Sequence, residues 1–145
     1  MQRVAAATVR MDGDPVAEIG CGLLVYLGVA GADTPAAAEH LARKVGELRL
    51  FPGEGGRMDR SVGEAGGAVL VVSQFTLLAD CRKGRRPDFA GAAAGAVAEP
   101  LYRRFIAALQ ERGLPVVTGV FGADMAVESV NDGPVTVLLD SERRL

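Results

Sequence analysis

The sequence predicts an α+β domain, with mostly antiparallel strands forming a barrel-like or sandwich sheet and two principal helices. Three observations lead there. The runs GLLVYLGV (22–29) and Ala68–Val72 are apolar without interruption, as strands buried on both faces are. Two other segments carry apolar residues at helical spacing. The remainder is punctuated by 19 glycines in 145 residues, roughly twice ordinary usage, which places tight turns between short elements.

Taken in order, residues 2–11 (QRVAAATVRM) read as a strand and Asp12-Gly13 as a hairpin turn, with 16–21 returning. After the buried 22–29 strand, Asp33-Thr34-Pro35 opens a helix: a capping side chain precedes a proline whose missing N–H costs nothing there. Ala38, Leu41, Val45 and Leu48 keep its apolar face in register, so it spans roughly 35–50. PGEGG (52–56) is a loop, Arg57–Val62 a short strand, and Gly66-Gly67 a turn into AVLVVSQF (68–75). Residues 78–96 (LADCRKGRRPDFAGAAAGA) read as an extended surface connection. The second helix runs from about Glu99, with Pro100 in its first turn, to Arg112, where Gly113 ends it. Strands near 115–121 and 123–130, a turn at Asn131–Pro134 and a strand to Leu139 complete the order, and the tail SERRL is expected to fray. There is no repeat and no linker, so 1–145 is read as one domain.

Composition narrows the chemistry. The net charge of −2 does not suit a protein that coats nucleic acid through many phosphates, and leaves room for a few phosphate contacts from a local patch. No apolar stretch reaches a membrane span, and MQRVAAATVRMDGD lacks the apolar block of a leader, so the chain reads as soluble and cytoplasmic. A single histidine and two distant cysteines argue against a zinc site, and no metal or cofactor is expected. Cys21 is read as a packed reduced thiol, and His40 as a surface residue. There is no P-loop, GxSxG elbow or HExxH. An enzyme built from this sequence needs little from titratable side chains.

Against that background, one segment raises a question: why a buried strand should end in Ser73-Gln74-Phe75-Thr76. The hydroxyls could simply bond nearby backbone. Alternatively, free N–H groups around Phe75 and Thr76 could polarise a carbonyl, with Gln74 orienting a substrate group. A Thr nucleophile has no base to activate it. NDGPVT (131–136) joins a hairpin dipeptide to a proline that spoils the hairpin, leaving a rigid corner at Gly133-Pro134. Most X–Pro bonds are trans, and the residues alone do not select a cis bond. RKGRRP (82–87), containing Lys83, Arg85 and Arg86, is the densest basic patch and begins six residues after Thr76. It is either a solvated loop or a phosphate contact. Phe121 and Met125 in FGADM are either core or an apolar clamp for a flat ring.

Together these motifs resemble the D-aminoacyl-tRNA deacylase family. QRV, DG…EIG…GLLVYLGV, EAGG, VVSQFTLLAD, RKGRRPDF, TGVFGADM and VNDGPVTVLLD occur in the family's order across almost the whole chain. The resemblance implies a homodimer that hydrolyses the ester between a D-amino acid, or glycine, and the terminal adenosine of tRNA. It implies that Ser73–Thr76 line the pocket with the N–H groups of Phe75 and Thr76 facing the ester. Gly133-Pro134, cis in the family, would enter the partner's pocket, hold the α-amino group with its carbonyls and leave no room for an L side chain. Phe121 and Met125 would flank the adenine, Arg3 would steady the corner, and Lys83, Arg85 and Arg86 would lie near the acceptor end. The neighbouring ribose hydroxyl would assist, which fits the scarcity of histidine. Two departures stand out. The segment before QRV is short, which is expected to weaken the first strand and the Arg3 contact, and Asp88 replaces a small polar residue near the basic patch. The alternatives are a relative with a trans Gly-Pro that edits a small L-amino acid, and a non-catalytic module for CCA ends or nucleosides.

Overall fold

The computed structural model describes residues 1–142. Strand β1 (Gln2–Met11) is the hub of the sheet. On one edge it pairs antiparallel with β2 (Asp14–Ile19) through its second half and with β3 (Gly22–Leu27) through its first. Its other edge pairs antiparallel with the last strand, β8 (Ala126–Thr136). Beyond β3 the sheet turns parallel: β6 (Ala68–Ser73) lies on β3, and β7 (Val116–Thr118) on β6. Strand β2 approaches β6 and β7, so the sheet curls into a nearly closed barrel. A small ribbon, β4 (Phe51–Pro52) with β5 (Met58–Arg60), stands apart. Both expected helices form, α1 (Pro35–Glu47) and α2 (Gly95–Glu111).

The uninterrupted apolar runs have a direct cause, because β3 and β6 are covered on both faces. Leu23, Val25, Val69 and Val71 point to the helices, meeting Ala42, Val45, Tyr102, Phe105 and Leu109. Leu24, Leu70 and Val72 point into the curl, against Val4, Ala7, Val9 and Ile19. Burying each such side chain stabilises the fold by about 1.5–3 kcal/mol. The buried positions of β1 change phase between Val4 and Ala7, where the β8 pairing slips, as expected at a bulge.

Several boundaries differ from expectation. Helix α1 is capped by Thr34, whose Oγ1 accepts from the Ala37 N–H at 3.3 Å, and it closes at Leu48. Helix α2 starts a turn early, because the Ala94 carbonyl already accepts from Val97 and Ala98, so Pro100 lies inside the helix. The expected 115–121 strand ends at Thr118. The segment 131–134 is a bulged corner within the single strand β8: Thr136 pairs with Gln2 and Asn131 with Val4, so the intervening residues loop out. The Asn131 side chain takes over there, accepting from the Val135 N–H and donating to Thr136 Oγ1, both at 3.1 Å. The first strand is anchored at its start. The Met1 ammonium donates to the Val137 carbonyl at 2.8 Å, and the Val137 N–H returns to Met1 O at 2.9 Å. Of the expected tail, only Ser141 and Glu142 lie within the described residues, in a turn. No described helix is long and apolar enough to cross a membrane.

Candidate active site

Where β6 ends at Ser73, the chain keeps one more ladder bond, from the Gln74 N–H to the Leu27 carbonyl at 2.8 Å. It then tightens into a single 3₁₀ turn, Phe75–Leu78. The opening N–H groups of such a turn have no partner inside it. The Leu77 N–H returns to the Gln74 carbonyl at 3.3 Å. Among the described residues, the Phe75 and Thr76 N–H groups have no acceptor outside the turn. The Gln74 amide donates to Thr76 Oγ1, which takes up one lone pair of that hydroxyl and fixes the amide's direction.

The end of β6 and the start of this turn line a cleft of about 510 Å³ through Ser73, Gln74 and Phe75, together with Phe121 and Met125, while Thr76 lies off the lining. Tyr102 forms the floor: its hydroxyl donates to the Val71 carbonyl at 3.0 Å, and its ring meets Phe121 at 5.5 Å between centroids. Burial pushes the Tyr102 hydroxyl above its ordinary pKa, partly offset by a bond with Thr118 and by Arg103. Besides this neutral phenol, the only ionisable group on the lining is Asp124. Two glycines shape the walls. A Cβ on Gly119 would lie 2.7 Å from Met125 Sδ, and one on Gly28 only 3.1 Å from the Gln74 carbonyl oxygen. Tyr102, Gly28, Gly119 and Asp124 were not singled out in the sequence. Tyr102 alone had a signal, sitting at helical spacing from Ala98, Phe105 and Leu109.

The other expected site residues lie elsewhere. Gly133 and Pro134 are exposed on the β8 bulge and do not line this cleft; their peptide bond is cis. Arg3 sits behind them, mostly buried. Its Nε donates to the Asp132 carbonyl at 3.1 Å and faces the Asp132 carboxylate at 3.4 Å, and Nη1 donates to the Leu50 carbonyl at 2.6 Å. Lys83, Arg85 and Arg86 are exposed on a loop closed by reciprocal Asp80 and Asp88 backbone bonds of 2.7 and 3.0 Å. Asp88 does not lie idle beside them, because its carboxylate accepts from the Ala90 N–H at 2.9 Å. Asp80 is held down to a pKa of about 2 by its bonds from Arg82.

One expectation is corrected: Cys21 is exposed, because it falls in the turn between β2 and β3 and not in either strand. His40 lies at the surface, half-buried against Arg43 in an open hollow between the helices, where Arg104 is already bonded to Glu39 and Glu111. Among the described residues no cluster of His, Cys, Asp and Glu could hold a metal.

The family model described as D-Tyr-tRNA(Tyr) deacylase matches residues 1–140. The chain belongs to this family. It is 57% identical to a D-aminoacyl-tRNA deacylase of Symbiobacterium thermophilum over 143 residues, 99% of this chain and 95% of that one. It is 56% identical to one from Anaeromyxobacter dehalogenans, covering 99% and 96%. A solved chain named c-Myc DNA Unwinding Element Binding Protein superposes with a TM-score of 0.90 at 40% identity, covering 96% of this chain and 95% of that one. A probable eukaryotic D-amino acid tRNA deacylase superposes at 0.79 with 19% identity over 92% of each chain, which speaks to the fold alone. The deacylase assignment makes the chain an ester hydrolase whose substrate is an aminoacylated tRNA.

Proposed function

We propose that the cleft takes the aminoacylated terminal adenosine of tRNA and hydrolyses its ester with D selectivity. The observation carrying this reading is the pair of N–H groups at Phe75 and Thr76 with no acceptor outside the turn: Phe75 lines the cleft together with Phe121 and Met125, and Thr76 follows it in the same 3₁₀ turn at the cleft's edge. Adenine fits between Phe121 and Met125, an aromatic and a polarisable surface suited to a flat base. The ester carbonyl then faces the free N–H groups, which stabilise the oxyanion as charge develops. Ser73 and Gln74 orient the group from the β6 side. Since Gln74 already engages the Thr76 hydroxyl and no base stands beside it, the backbone of Thr76 acts and its hydroxyl does not. The ribose hydroxyl next to the ester supplies the help with water or attack that a histidine gives elsewhere.

D selectivity requires a wall on the L side, and the exposed Gly133-Pro134 corner is suited to supply it from a second copy of the chain. Arg3 holds that corner from behind, and Gly133 at φ 124 allows a conformation other residues resist. In the homodimer its carbonyls take the α-amino group while its bulk excludes an L side chain. Glycine keeps the α-amino group and has no side chain to exclude, so it is also accepted. The protein acts without metal or cofactor, in the cytoplasm, on tRNA acceptor ends and not on DNA or membranes. Lys83, Arg85 and Arg86 meet the acceptor phosphates.

The test compares D-Tyr-tRNA ending in adenosine with the same tRNA ending in 2′-deoxyadenosine, in EDTA. Cleavage of the first, with the second slowed at least tenfold, is expected. Equal rates would move the activating group onto the protein, and binding without cleavage would make the chain a CCA-end binding module.

A further inference from the structure

Beside the cleft mouth lies a surface that the adenosine reading leaves unused. Phe75 is 58% exposed and Leu77 54%, although aromatic and aliphatic groups of this size favour burial. The Phe75 ring meets Phe89 edge to face, 5.2 Å between centroids at 72°. A stacked pair would use up a face of each ring, whereas this arrangement leaves ring faces available. Phe89 directly follows the bridge that closes the 80–88 loop, so the aromatic pair adjoins the base of the loop that carries the basic patch. On that loop Arg82 is taken by Asp80, but Lys83, Arg85 and Arg86 have no ion-pair partner among the described residues.

An exposed aromatic ring, Phe75, backed by the half-buried Phe89 and followed in the chain by unpaired cations, is the combination that holds single-stranded nucleic acid: bases stack on rings while phosphates meet the charges. We propose that Phe75, Phe89 and the loop cations form a subsite for the nucleotide preceding the terminal adenosine, its base stacked on the aromatic pair and its phosphate on Arg85 and Arg86. This rests on the cleft holding the terminal adenosine, since Phe75 belongs to both surfaces. Its backbone serves the ester inside, and its ring serves the neighbouring base outside.

The test measures kcat/KM for D-Tyr-adenosine, for the D-Tyr ester of the dinucleotide CpA, and for the same dinucleotide with an abasic riboside in place of cytidine. The expected gain from cytidine over adenosine alone is roughly five- to a hundredfold, the range of one base stacked on an aromatic ring. The abasic dinucleotide should keep only the phosphate's share. Phe89→Ala should remove most of the cytidine gain, Phe89→Trp should restore it, and both should leave D-Tyr-adenosine cleavage within about threefold. Arg85→Ala should lower the salt slope of binding by about 0.7. Equal rates for cytidine and abasic dinucleotides would overturn the subsite. So would a Phe89→Ala variant that loses its oligomeric state and slows all three substrates alike, which would make this face a subunit contact. Failure to cleave D-Tyr-adenosine while D-Tyr-tRNA is cleaved would instead contradict the adenosine cleft, and the subsite with it.

Discussion

Gly28 offers a measurement of how tightly the catalytic turn must be placed. It follows β3 and lies directly against the 75–78 turn. In Gly28→Ala the new methyl would stand 2.5 Å from Leu78 Cδ2, 3.2 Å from Leu77 Cβ and 3.1 Å from the Gln74 carbonyl oxygen. The Leu78 side chain can rotate away, but the carbonyl and Leu77 Cβ move only if the turn moves. Restoring ordinary contacts of about 3.5–4.0 Å requires a shift of roughly half an ångström. Misplacement by 1 Å costs on the order of 10²-fold, so half of that lowers kcat about tenfold. The added volume also destabilises the fold by about 1–3 kcal/mol, a fall in Tm of roughly 3–10 °C for a chain of this size. Single-turnover deacylation of D-Tyr-tRNA, paired with a thermal melt, reads both. KM should change little, because Phe121 and Met125 lie on the other wall. Gly20→Ala is the control, since a methyl there meets nothing within 4 Å. A destabilised Gly28→Ala protein with unchanged kcat would refute the role given to the turn.

Three further outcomes follow from the same geometry. Thr76→Ala should keep kcat within about fivefold, because its N–H remains; a loss beyond about 10³-fold in steady-state kinetics would make the hydroxyl the reacting group. Arg3→Ala leaves the Asp132 and Leu50 carbonyls without their charged donor, so cleavage of L-Tyr-tRNA relative to D-Tyr-tRNA should rise about tenfold while the protein stays folded; an unchanged ratio would separate Arg3 from the Gly133-Pro134 wall. Asp80 has its folded pKa depressed from 3.8 to about 2 by Arg82. The stabilisation it brings to the basic loop is therefore present above pH 4 and lost as the pH falls through about 2. An NMR titration of its carboxyl carbon should show that low midpoint, and one near 4 would mean that the Arg82 contact is not formed.

Much of this was legible in the sequence because it depends on local pattern. Strands β3 and β6 announce themselves by apolar runs, since both faces are covered, and Thr34-Pro35 marks the start of α1 through its own hydrogen bond. What could not be read depends on long-range placement. The corner at Gly133-Pro134 was legible, but Asn131 replacing the β1 ladder, and so making that corner a bulge within one strand, needs the register with Gln2 and Val4. Tyr102 as the floor of the cleft needs the parallel β3–β6–β7 order that brings Val71 above it. Gly28 and Gly119 matter through neighbours about fifty and six residues away, which no local spacing reveals. The Ser73–Thr76 and Gly133-Pro134 motifs stood out by composition, but only the fold shows that they lie apart within one chain.

That separation leads to the central claim, a chiral wall supplied across a homodimer. Deacylation of D-Tyr-tRNA and L-Tyr-tRNA, measured side by side with EDTA present, tests it most directly. The D ester should be cleaved and the L ester left intact; comparable cleavage of both would contradict a wall on the L side.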